Sequence, residues 1–363
     1  MIQPELVEIF RAGLLQWASG NPRPMPWKGE KDPYKIWLSE IVLQQTRVEQ
    51  GWPYYEKLIL KYPNVHALAQ APEDELFKYW EGLGYYNRAR NLHATAKYIS
   101  TELGGRFPHT YETIRTLKGV GDYTAAAIAS FGFGLPYAVL DGNVFRILAR
   151  FFAIDTVSDS TAGKKEFSTL AQQLIPHEAP GAFNQAMMDF GALCCMPAQP
   201  QCPSCTLQNH CQAFKSKQQD SYPVRQPKKA KKQLYFLYLV VKSGDRVWIR
   251  KRQEKDIWRG LHEFPYLAFE DAAAFESAQA TQAFSATDML ADIAISPKSD
   301  TFRQTLTHRQ VTAVFQEIRL PCDANLETVN PACFSGSFST SIVELKKKFA
   351  FPGIISGFLK KFV

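Results

Sequence analysis

The sequence LKGVGDYTA, residues 117–125, lies between two segments with helical periodicity, residues 111–117 and 122–131. Gly119 and Gly121 stand one residue apart, so the chain can turn tightly there without side-chain obstruction. Backbone N–H groups at such a turn, beside a helix N-terminus, favour an anion such as phosphate. On these residues alone a simple connection between two helices is the stronger interpretation, because a G-x-G pattern is a weak signal.

The composition is that of a globular protein, and its net positive charge favours a polyanionic partner, although charge balance alone is a weak signal. The 363 residues predict about two or three domains. Hydrophobic residues make up 45% and charged residues 21%, which argues against disorder, and the net charge is +7. The sequence has neither a secretory leader pattern nor a run of about 20 apolar residues that could span a bilayer. We therefore expect a cytoplasmic, nucleoid-associated monomer with no membrane partner.

The hydrophobic pattern changes along the chain, from helical periodicity before the basic segment to a mixture of strands and helices after it. Residues 1–214 predict about ten helices. Residues 215–233 hold seven Lys or Arg against one Asp, which suits a flexible tether and a phosphate-contacting segment equally. The predicted organisation is an all-α region at 1–220, a basic linker at 221–232 and an α+β domain at 233–363. Predicted strands are 233–241, 246–250, 311–320 and 342–345, and predicted helices of that domain are 270–280 and 352–362.

Four cysteines, Cys195, Cys202, Cys205 and Cys211, follow the spacing C-x6-C-x2-C-x5-C. Thiolates so close together suit zinc or an iron–sulfur cluster. Only Cys202 and Cys205 form the tight pair that zinc sites usually contain twice, so the spacing favours iron–sulfur. The neighbouring Cys194 could replace Cys195 as a ligand, and we interpret Cys322 and Cys333 as buried or incidental.

Two carboxyl groups are candidates for acid–base or electrostatic catalysis. Asp141 precedes the amphipathic segment 144–152 and on its own reads as a helix N-cap. A carboxylate in that position can also stabilise the positive charge that develops on a sugar, or attack its anomeric carbon. Glu40 would by default lie on a solvated helix face, but its neighbours in the predicted helix 34–48 are nearly all apolar. Such surroundings raise a carboxyl pKa and make it a proton donor near neutral pH.

These motifs together resemble the helix-hairpin-helix superfamily of DNA glycosylases. LKGVGDYTA followed by VLDGNV, residues 139–144, resembles its hairpin, and the cysteine spacing resembles the [4Fe-4S] loop of endonuclease III and MutY glycosylases. WLSEIVLQQT, residues 37–46, resembles the MutY signature. The resemblance implies an all-α core with a six-helix subdomain at about 26–137 and an iron–sulfur subdomain at 1–25 plus 138–220. It also implies one [4Fe-4S] cluster per chain, held by Cys195, Cys202, Cys205 and Cys211.

The resemblance assigns the catalytic groups. It implies that Glu40 protonates adenine, that Asp141 acts at the sugar and that Asn143 supports Asp141. Lyase members of the superfamily carry a lysine directly before the Thr of the hairpin, where this chain has Tyr123. A tyrosine cannot form the imine that strand cleavage needs, so base removal alone is expected. The implied adenine pocket consists of Arg23, Trp27, Leu43 and Gln185.

The resemblance also assigns residues that contact DNA. GLGYYNRAR, residues 82–90, could be a helix–helix turn, but its arginines, among them Arg88, can also contact phosphate. The resemblance implies that Tyr85 inserts into the duplex next to the lesion and that Gln45 fills space on the other side. Residues 233–363 resemble the MutT-like domain, which has the Nudix fold, yet they lack the Nudix hydrolase motif. Leu306, Thr307 and His308 match its lesion-reading hairpin, with Leu306 replacing an aromatic residue; a plain β-turn is the less favoured alternative.

The predicted function is hydrolysis of the N-glycosidic bond of adenine mispaired with 8-oxoguanine or guanine in double-stranded DNA, without strand cleavage. A bifunctional endonuclease III-like glycosylase/lyase is one alternative. A non-enzymatic iron–sulfur DNA-binding protein is another. The prediction requires Glu40 and Asp141, which are distant in sequence, to lie at one cavity.

Overall fold

The computed structural model describes residues 2–227, 230–280, 294–321 and 334–361. Contacts between residues divide the chain into two compact units. Unit 1 contains Met1–Gln70 and Asn91–Pro227, and unit 2 contains Ala71–Arg90 and Lys228–Val363. Residues 71–90, which the sequence analysis counted with the six-helix subdomain, group with the C-terminal residues. Cys322 and Cys333, which the sequence predicts to be buried or incidental, lie outside the described residues.

Fifteen α-helices and eight strands are found in the described ranges. The helices are α1 Pro4–Gly20, α2 Pro33–Leu43, α3 Val48–Lys61, α4 Val65–Gln70, α5 Glu73–Trp80, α6 Asn87–Glu102, α7 Tyr111–Arg115, α8 Asp122–Phe133, α9 Gly142–Phe152, α10 Thr161–Leu174, α11 Pro180–Leu193, α12 Gln212–Lys215, α13 Ala272–Ala280, α14 Ile342–Lys348 and α15 Gly353–Lys361. The strands are β1 Lys232–Ser243, β2 Arg246–Lys251, β3 His262–Glu263, β4 Tyr266–Phe269, β5 Ala294–Lys298, β6 Phe302–Thr305, β7 Arg309–Arg319 and β8 Ser337–Ser341. Of the helices described, none is long and apolar enough to cross a membrane.

The core of unit 1 is built from the apolar faces of α1 and α8 to α11. Phe10 of α1 meets Phe151 of α9 edge to face at 4.9 Å between ring centroids, and Trp17 meets Phe190 of α11 at 5.1 Å. Aromatic pairs in this geometry add to the gain from burying their area. The packing fixes α9 against its neighbours and therefore fixes the position of Asp141 at its N-terminus.

Helix α2 is shorter than the sequence predicts. It begins after Asp32, whose side chain accepts a hydrogen bond from the Tyr34 N–H at 2.9 Å, and it ends at Leu43 instead of continuing to residue 48. A turn follows, in which the Thr46 N–H donates to the Leu43 carbonyl at 3.0 Å and Gln45 has a φ of 57°. That left-handed conformation ends the helix, although no glycine or proline marks the site in the sequence.

Unit 2 is organised around a mixed sheet of the order β3-β2-β1-β7-β5, to whose strands β4, β6 and β8 add. β1 and β7 pair in parallel over eleven residue pairs, whereas the other pairings are antiparallel. β1, β2 and β7 correspond to predicted strands, and α13 and α15 to predicted helices. The strand predicted at residues 342–345 is wrong, because α14 begins there with Ser341 as its N-cap.

Part of the predicted linker packs against unit 1. The Tyr222 hydroxyl donates to Asp155 at 3.0 Å, the Ser158 N–H donates to the Val224 carbonyl at 2.9 Å, and the Gln226 N–H donates to Asp159 at 3.1 Å. For residues 222–226 these contacts contradict the flexible-tether alternative, whereas the phosphate-contacting alternative stays a prediction. Strand β1 begins at Lys232, within the range assigned to the linker.

Candidate active site

Glu40 lies in the last turn of α2 and is only 6% exposed. It belongs to a run of buried residues that extends from Ile36 to Val42, so the helix has no solvated face at this point. Burial raises the pKa of Glu40 to about 7, while a hydrogen bond with Tyr123 lowers it and the charge of Asp141 raises it further. A carboxyl group with this pKa can hold and release a proton at neutral pH.

Tyr123 belongs to the first turn of α8, directly after the glycine hairpin. Its hydroxyl donates to the Met188 sulfur at 3.5 Å and lines the same cavity as Glu40, whose pKa it lowers. Burial, together with the charges of Glu40 and Asp141, raises the pKa of Tyr123 well above its ordinary value. The hydroxyl therefore stays protonated at neutral pH and can donate to the Glu40 carboxylate.

Asp141 is the N-cap of α9, as its position before an amphipathic segment indicates. Its carboxylate accepts from the Asn143 N–H at 2.9 Å, the Val144 N–H at 2.8 Å and the Asn143 Nδ2 at 2.8 Å. Burial raises the pKa of Asp141 above its usual value, and these donors and Arg146 partly oppose the rise. The donors orient the carboxylate, and each of them favours its charged form.

A chain of hydrogen bonds runs from the Asp141 carboxylate to the cysteine segment, residues 195–211, which carries the four predicted ligands. The guanidinium group of Arg146 donates to the Asn143 Oδ1 at 2.8 Å, to the Gly191 carbonyl at 2.6 Å and to the Cys195 carbonyl at 2.7 Å. Asn143 thus contacts Asp141 on one side and Arg146 on the other. No local sequence pattern predicts this role for Arg146, because its partners come from α9, α11 and the residues that follow α11.

A cavity of about 580 Å³ brings the predicted catalytic residues together in unit 1. Its walls include Glu40, Tyr123, Asp141 and Asn143, and also the four residues predicted to hold adenine, Arg23, Trp27, Leu43 and Gln185. The volume is within the range of small-molecule sites. A second cavity, of about 540 Å³, shares Glu40, Tyr123 and Asp141 and is lined by the turn Gln44–Arg47. The two carboxyl groups therefore lie where the two cavities adjoin.

Asp189 is a cavity residue to which the sequence analysis assigned no chemistry. It is 3% exposed, and its carboxylate pairs with Lys28 at 3.0 Å and Arg23 at 3.5 Å. It also accepts a hydrogen bond from the Gln185 Nε2 at 3.1 Å. The i,i+4 spacing of Gln185 and Asp189 could have suggested this contact, whereas the two cations come from a distant segment and leave no local signal.

Only one of the two hairpin glycines is required by the backbone. Gly119 has a φ of 82°, and a Cβ there would lie 2.7 Å from the Asn91 Cβ. Gly121 is extended, with a φ of −96°, and a Cβ would meet nothing within 4 Å. The tight turn therefore rests on Gly119, whereas Gly121 leaves open space beside the N-terminus of α8.

Within unit 2, two residues predicted to read DNA contact each other. The hydroxyl groups of Tyr85 and Thr307 share a hydrogen bond. Tyr85 is 46% exposed with a φ of 51°, and Thr307 and His308 are exposed in the turn between β6 and β7. Arg88 is buried, donates to the Gly84 carbonyl at 3.2 Å and lies over the Tyr85 ring. Arg88 thus supports the loop that carries Tyr85, and its contact with phosphate stays a prediction.

The cysteines at positions 194, 195, 202, 205 and 211 line one cavity. N–H groups lie near three of the sulfurs: Arg150 at 3.5 Å from Cys195, Leu207 at 3.4 Å from Cys205, and Gln219 at 3.9 Å from Cys202. Such donors are typical around ligand thiolates, so these residues fit a thiolate-bound group. In the part of the chain that the structure describes, no three Cys, His, Asp or Glu side chains form a group that could hold one metal ion.

Comparison with known proteins gives matches over both parts of the chain. Residues 38–176 match the model of the HhH-GPD superfamily base excision DNA repair proteins, and residues 237–361 match a NUDIX domain. An adenine DNA glycosylase of Buchnera aphidicola (subsp. Acyrthosiphon pisum) is 37% identical over 258 residues, which span 71% of this chain and 74% of the relative.

Two solved structures share the fold of the helical part. A thermostable thymine-DNA glycosylase matches with a TM-score of 0.55 and 30% identity, over 58% of this chain and 97% of its own. A non-covalent endonuclease III–DNA complex matches with a TM-score of 0.51 and 25% identity, over 60% of this chain and 99% of its own.

The matched families and the shared fold thus define a base excision DNA glycosylase, a hydrolase with a helix-hairpin-helix core and a C-terminal Nudix domain. This confirms the predicted fold and enzyme class. Within that class, the chain belongs to the adenine DNA glycosylase family, as its sequence motifs predict.

Proposed function

We propose that this chain removes adenine mispaired with 8-oxoguanine or guanine from double-stranded DNA by hydrolysis and leaves an abasic site. The observation that carries the proposal is that Glu40 and Asp141, from α2 and the start of α9, line the same cavity. Paired carboxyl groups with different surroundings are the usual means of cleaving a glycosidic bond. An adenine turned out of the duplex would occupy this cavity.

Glu40 acts as the general acid. With a pKa of about 7, a substantial fraction of Glu40 is protonated at neutral pH. Transfer of that proton to the extruded adenine makes the base a better leaving group, because it departs as a neutral molecule. The Tyr123 hydroxyl then stabilises the Glu40 carboxylate by hydrogen bonding.

Asp141 acts at the sugar. As the bond to the base lengthens, positive charge develops at the anomeric carbon, and a carboxylate beside it stabilises that charge or attacks the carbon. The donors from Asn143 and Val144 support a fixed, charged carboxylate. Water completes the hydrolysis at the anomeric carbon.

Strand cleavage is not expected. An imine with the sugar needs a free amine, and the position before Thr124 holds Tyr123. The cavity wall contains the amines of Lys28 and Lys31, which are engaged by Asp189 at 3.0 Å and by the Phe131 carbonyl at 3.1 Å. These contacts support a monofunctional enzyme.

The hairpin turn of unit 2, Leu306 to His308, is proposed to read the base opposite adenine. Its exposed Thr307 and His308 offer hydrogen-bonding groups, and the Thr307 contact with Tyr85 supports a shared role for the two segments. Leu306 offers apolar contact where relatives of the MutY type carry an aromatic ring. Duplex DNA is the proposed partner.

We further propose that Cys195, Cys202, Cys205 and Cys211 hold one [4Fe-4S] cluster. When bound, the cluster organises the cysteine segment and takes no part in hydrolysis. Purified protein is expected to contain four irons and four sulfides per chain, and Cys202→Ser to lose both. Zinc in place of iron would contradict this assignment.

The proposed function is tested with duplexes that contain adenine opposite 8-oxoguanine, guanine or thymine. Free adenine should be released from the first two, and the strand should break only after treatment with hot alkali. A further duplex that carries an oxidised pyrimidine tests the alternative, because its breakage without alkali would favour an endonuclease III-like lyase. Binding with no base release would favour a non-enzymatic DNA-binding protein.

A further inference from the structure

Asp189 occupies an unusual place in the cavity wall, because both of its carboxylate oxygens are held by named partners. Oδ2 accepts from the Lys28 ammonium at 3.0 Å, and Oδ1 accepts from the Gln185 Nε2 at 3.1 Å and faces Arg23 at 3.5 Å. The side chain is almost completely buried. A buried carboxylate fixed in this way only accepts hydrogen bonds, so each group that contacts it must present a donor.

The Asp189 carboxylate determines the orientation of the Gln185 amide. A carboxylate accepts hydrogen bonds and donates none, so a Gln185 turned by 180° would place its carbonyl oxygen against another acceptor. The amide is therefore held with its nitrogen toward Asp189. Gln185 lines the cavity, so its carbonyl oxygen and second N–H can bind a base in the cavity.

An amide fixed in this orientation distinguishes purines by the group at position 6. A glutamine carbonyl oxygen and N–H together match the 6-amino group and the adjacent ring nitrogen of adenine. A 6-oxo purine such as hypoxanthine or guanine presents an acceptor where adenine presents a donor. Its oxygen would face the Gln185 carbonyl oxygen, and the amide could not turn without losing its bond to Asp189.

We infer that Asp189 is a specificity-determining positioning residue, which holds the Gln185 amide so that the cavity accepts a 6-amino purine and rejects a 6-oxo purine. The inference rests on the proposed function and adds the reason for its choice of base. Asp189 acts through Gln185 and does not contact the base.

The test compares adenine with hypoxanthine, each placed opposite 8-oxoguanine in the same duplex. The kcat/KM for release of each base is measured for the wild type and for Asp189→Asn. An asparagine can donate to the Gln185 carbonyl and so allows the amide to turn. The ratio of adenine to hypoxanthine release is expected to fall about tenfold or more, since one misplaced bidentate contact changes discrimination by that order.

Two controls separate this role from a structural one. Both rates come from one preparation, so the fraction of folded protein cancels in the ratio, and a purely structural role would leave the ratio unchanged. In a Gln185→Leu background, Asp189→Asn should alter the ratio less than twofold. Lys28→Met, which keeps the bond between Asp189 and Gln185, should retain the wild-type preference.

The outcomes are distinct. An unchanged ratio in Asp189→Asn, or an equal fall in the Gln185→Leu background, overturns the inference. If Asp189→Asn does not fold, the test uses Gln185→Leu, which is expected to lose the preference for adenine over hypoxanthine. A wild-type ratio in Gln185→Leu also overturns the inference. A wild-type protein that releases no adenine overturns the proposed function instead.

Discussion

The hydroxyl group of Tyr123 and the carboxyl group of Glu40 line the same cavity, where the hydroxyl lowers the pKa of the carboxyl. Three effects set the acidity of Glu40: burial raises its pKa most, the Tyr123 hydroxyl lowers it, and the charge of Asp141 raises it. The resulting pKa of about 7 suits a proton donor at neutral pH. The two residues come from α2 and α8, so the fold creates this acidity.

Tyr123→Phe is expected to move the pH profile of adenine release. The rate should fall about tenfold per pH unit once Glu40 is ionised, because only the acid form donates a proton. Removal of the hydroxyl removes a bond that favours the ionised form, so this alkaline limb should move to higher pH, by up to about one unit. Single-turnover release between pH 5 and 9 measures the shift. The matched control is Tyr137→Phe, which removes a hydroxyl that donates to Glu112 at 3.2 Å. A shift of the alkaline limb to lower pH in Tyr123→Phe would contradict the account.

Glu40→Gln should stabilise the protein above neutral pH. The pKa of Glu40 is raised from 4.5 to about 7 in the folded state, so the folded protein binds the proton more tightly than the unfolded chain between these values. As pH rises through that window, the wild type loses up to about 3 kcal/mol of unfolding free energy, and the variant does not. Thermal melts at pH 4.5 and pH 8 measure the difference, with exposed Glu5→Gln as control. An equal effect at both pH values would contradict the burial of a titrating Glu40.

Gly119→Ala and Gly121→Ala form a matched pair. The first should destabilise unit 1 by about 1–2 kcal/mol or more, because alanine disfavours a left-handed φ and its Cβ would meet Asn91. The second should leave stability nearly unchanged, because Gly121 is extended and faces open space. If the N–H groups of the hairpin hold phosphate, Gly121→Ala should nevertheless weaken duplex binding. Unfolding curves and binding titrations at one salt concentration separate the two effects, and equal destabilisation would count against this geometry.

Arg146→Met should lower both stability and base release. The substitution leaves the Asn143, Gly191 and Cys195 acceptors without their guanidinium donor, which should cost at least about 2 kcal/mol of unfolding free energy. Arg146→Lys should not restore it, because an ammonium group cannot reproduce the forked geometry. Exposed Arg106→Met is the control for loss of charge. If Arg146→Met had the same free energy of unfolding as the wild type, this chain of hydrogen bonds would contribute little to stability.

Local patterns predicted the parts of the molecule that local forces determine. Asp141 was recognisable as an N-cap because capping depends on the next two or three residues, and the structure has it capping α9. Residues 342–345 were predicted as a strand from their branched side chains. The preceding Ser341 with Glu344 is a capping pattern that the prediction overlooked, and Ser341 does accept from the Glu344 N–H at 3.2 Å.

Long-range contacts were beyond local patterns. The left-handed Gln45 that ends α2 carries no glycine or proline signal. The burial of Asp189 and its pairing with Lys28 depend on two segments that are 161 residues apart. The acidity of Glu40 likewise depends on Tyr123 and Asp141, which the sequence places far from it. The family resemblance supplied the candidate catalytic residues, and the fold supplied the contacts that explain their chemistry.

The most direct test of the two-carboxyl account is single-turnover release of free adenine by the wild type, Glu40→Gln, Asp141→Asn and the double variant. Each single variant is expected to lose at least about a hundredfold in rate while duplex binding is retained. The double variant should be little slower than the slower single one, because the two groups act on one bond and their effects do not add. Release at the wild-type rate by Asp141→Asn, with binding intact, would contradict the account.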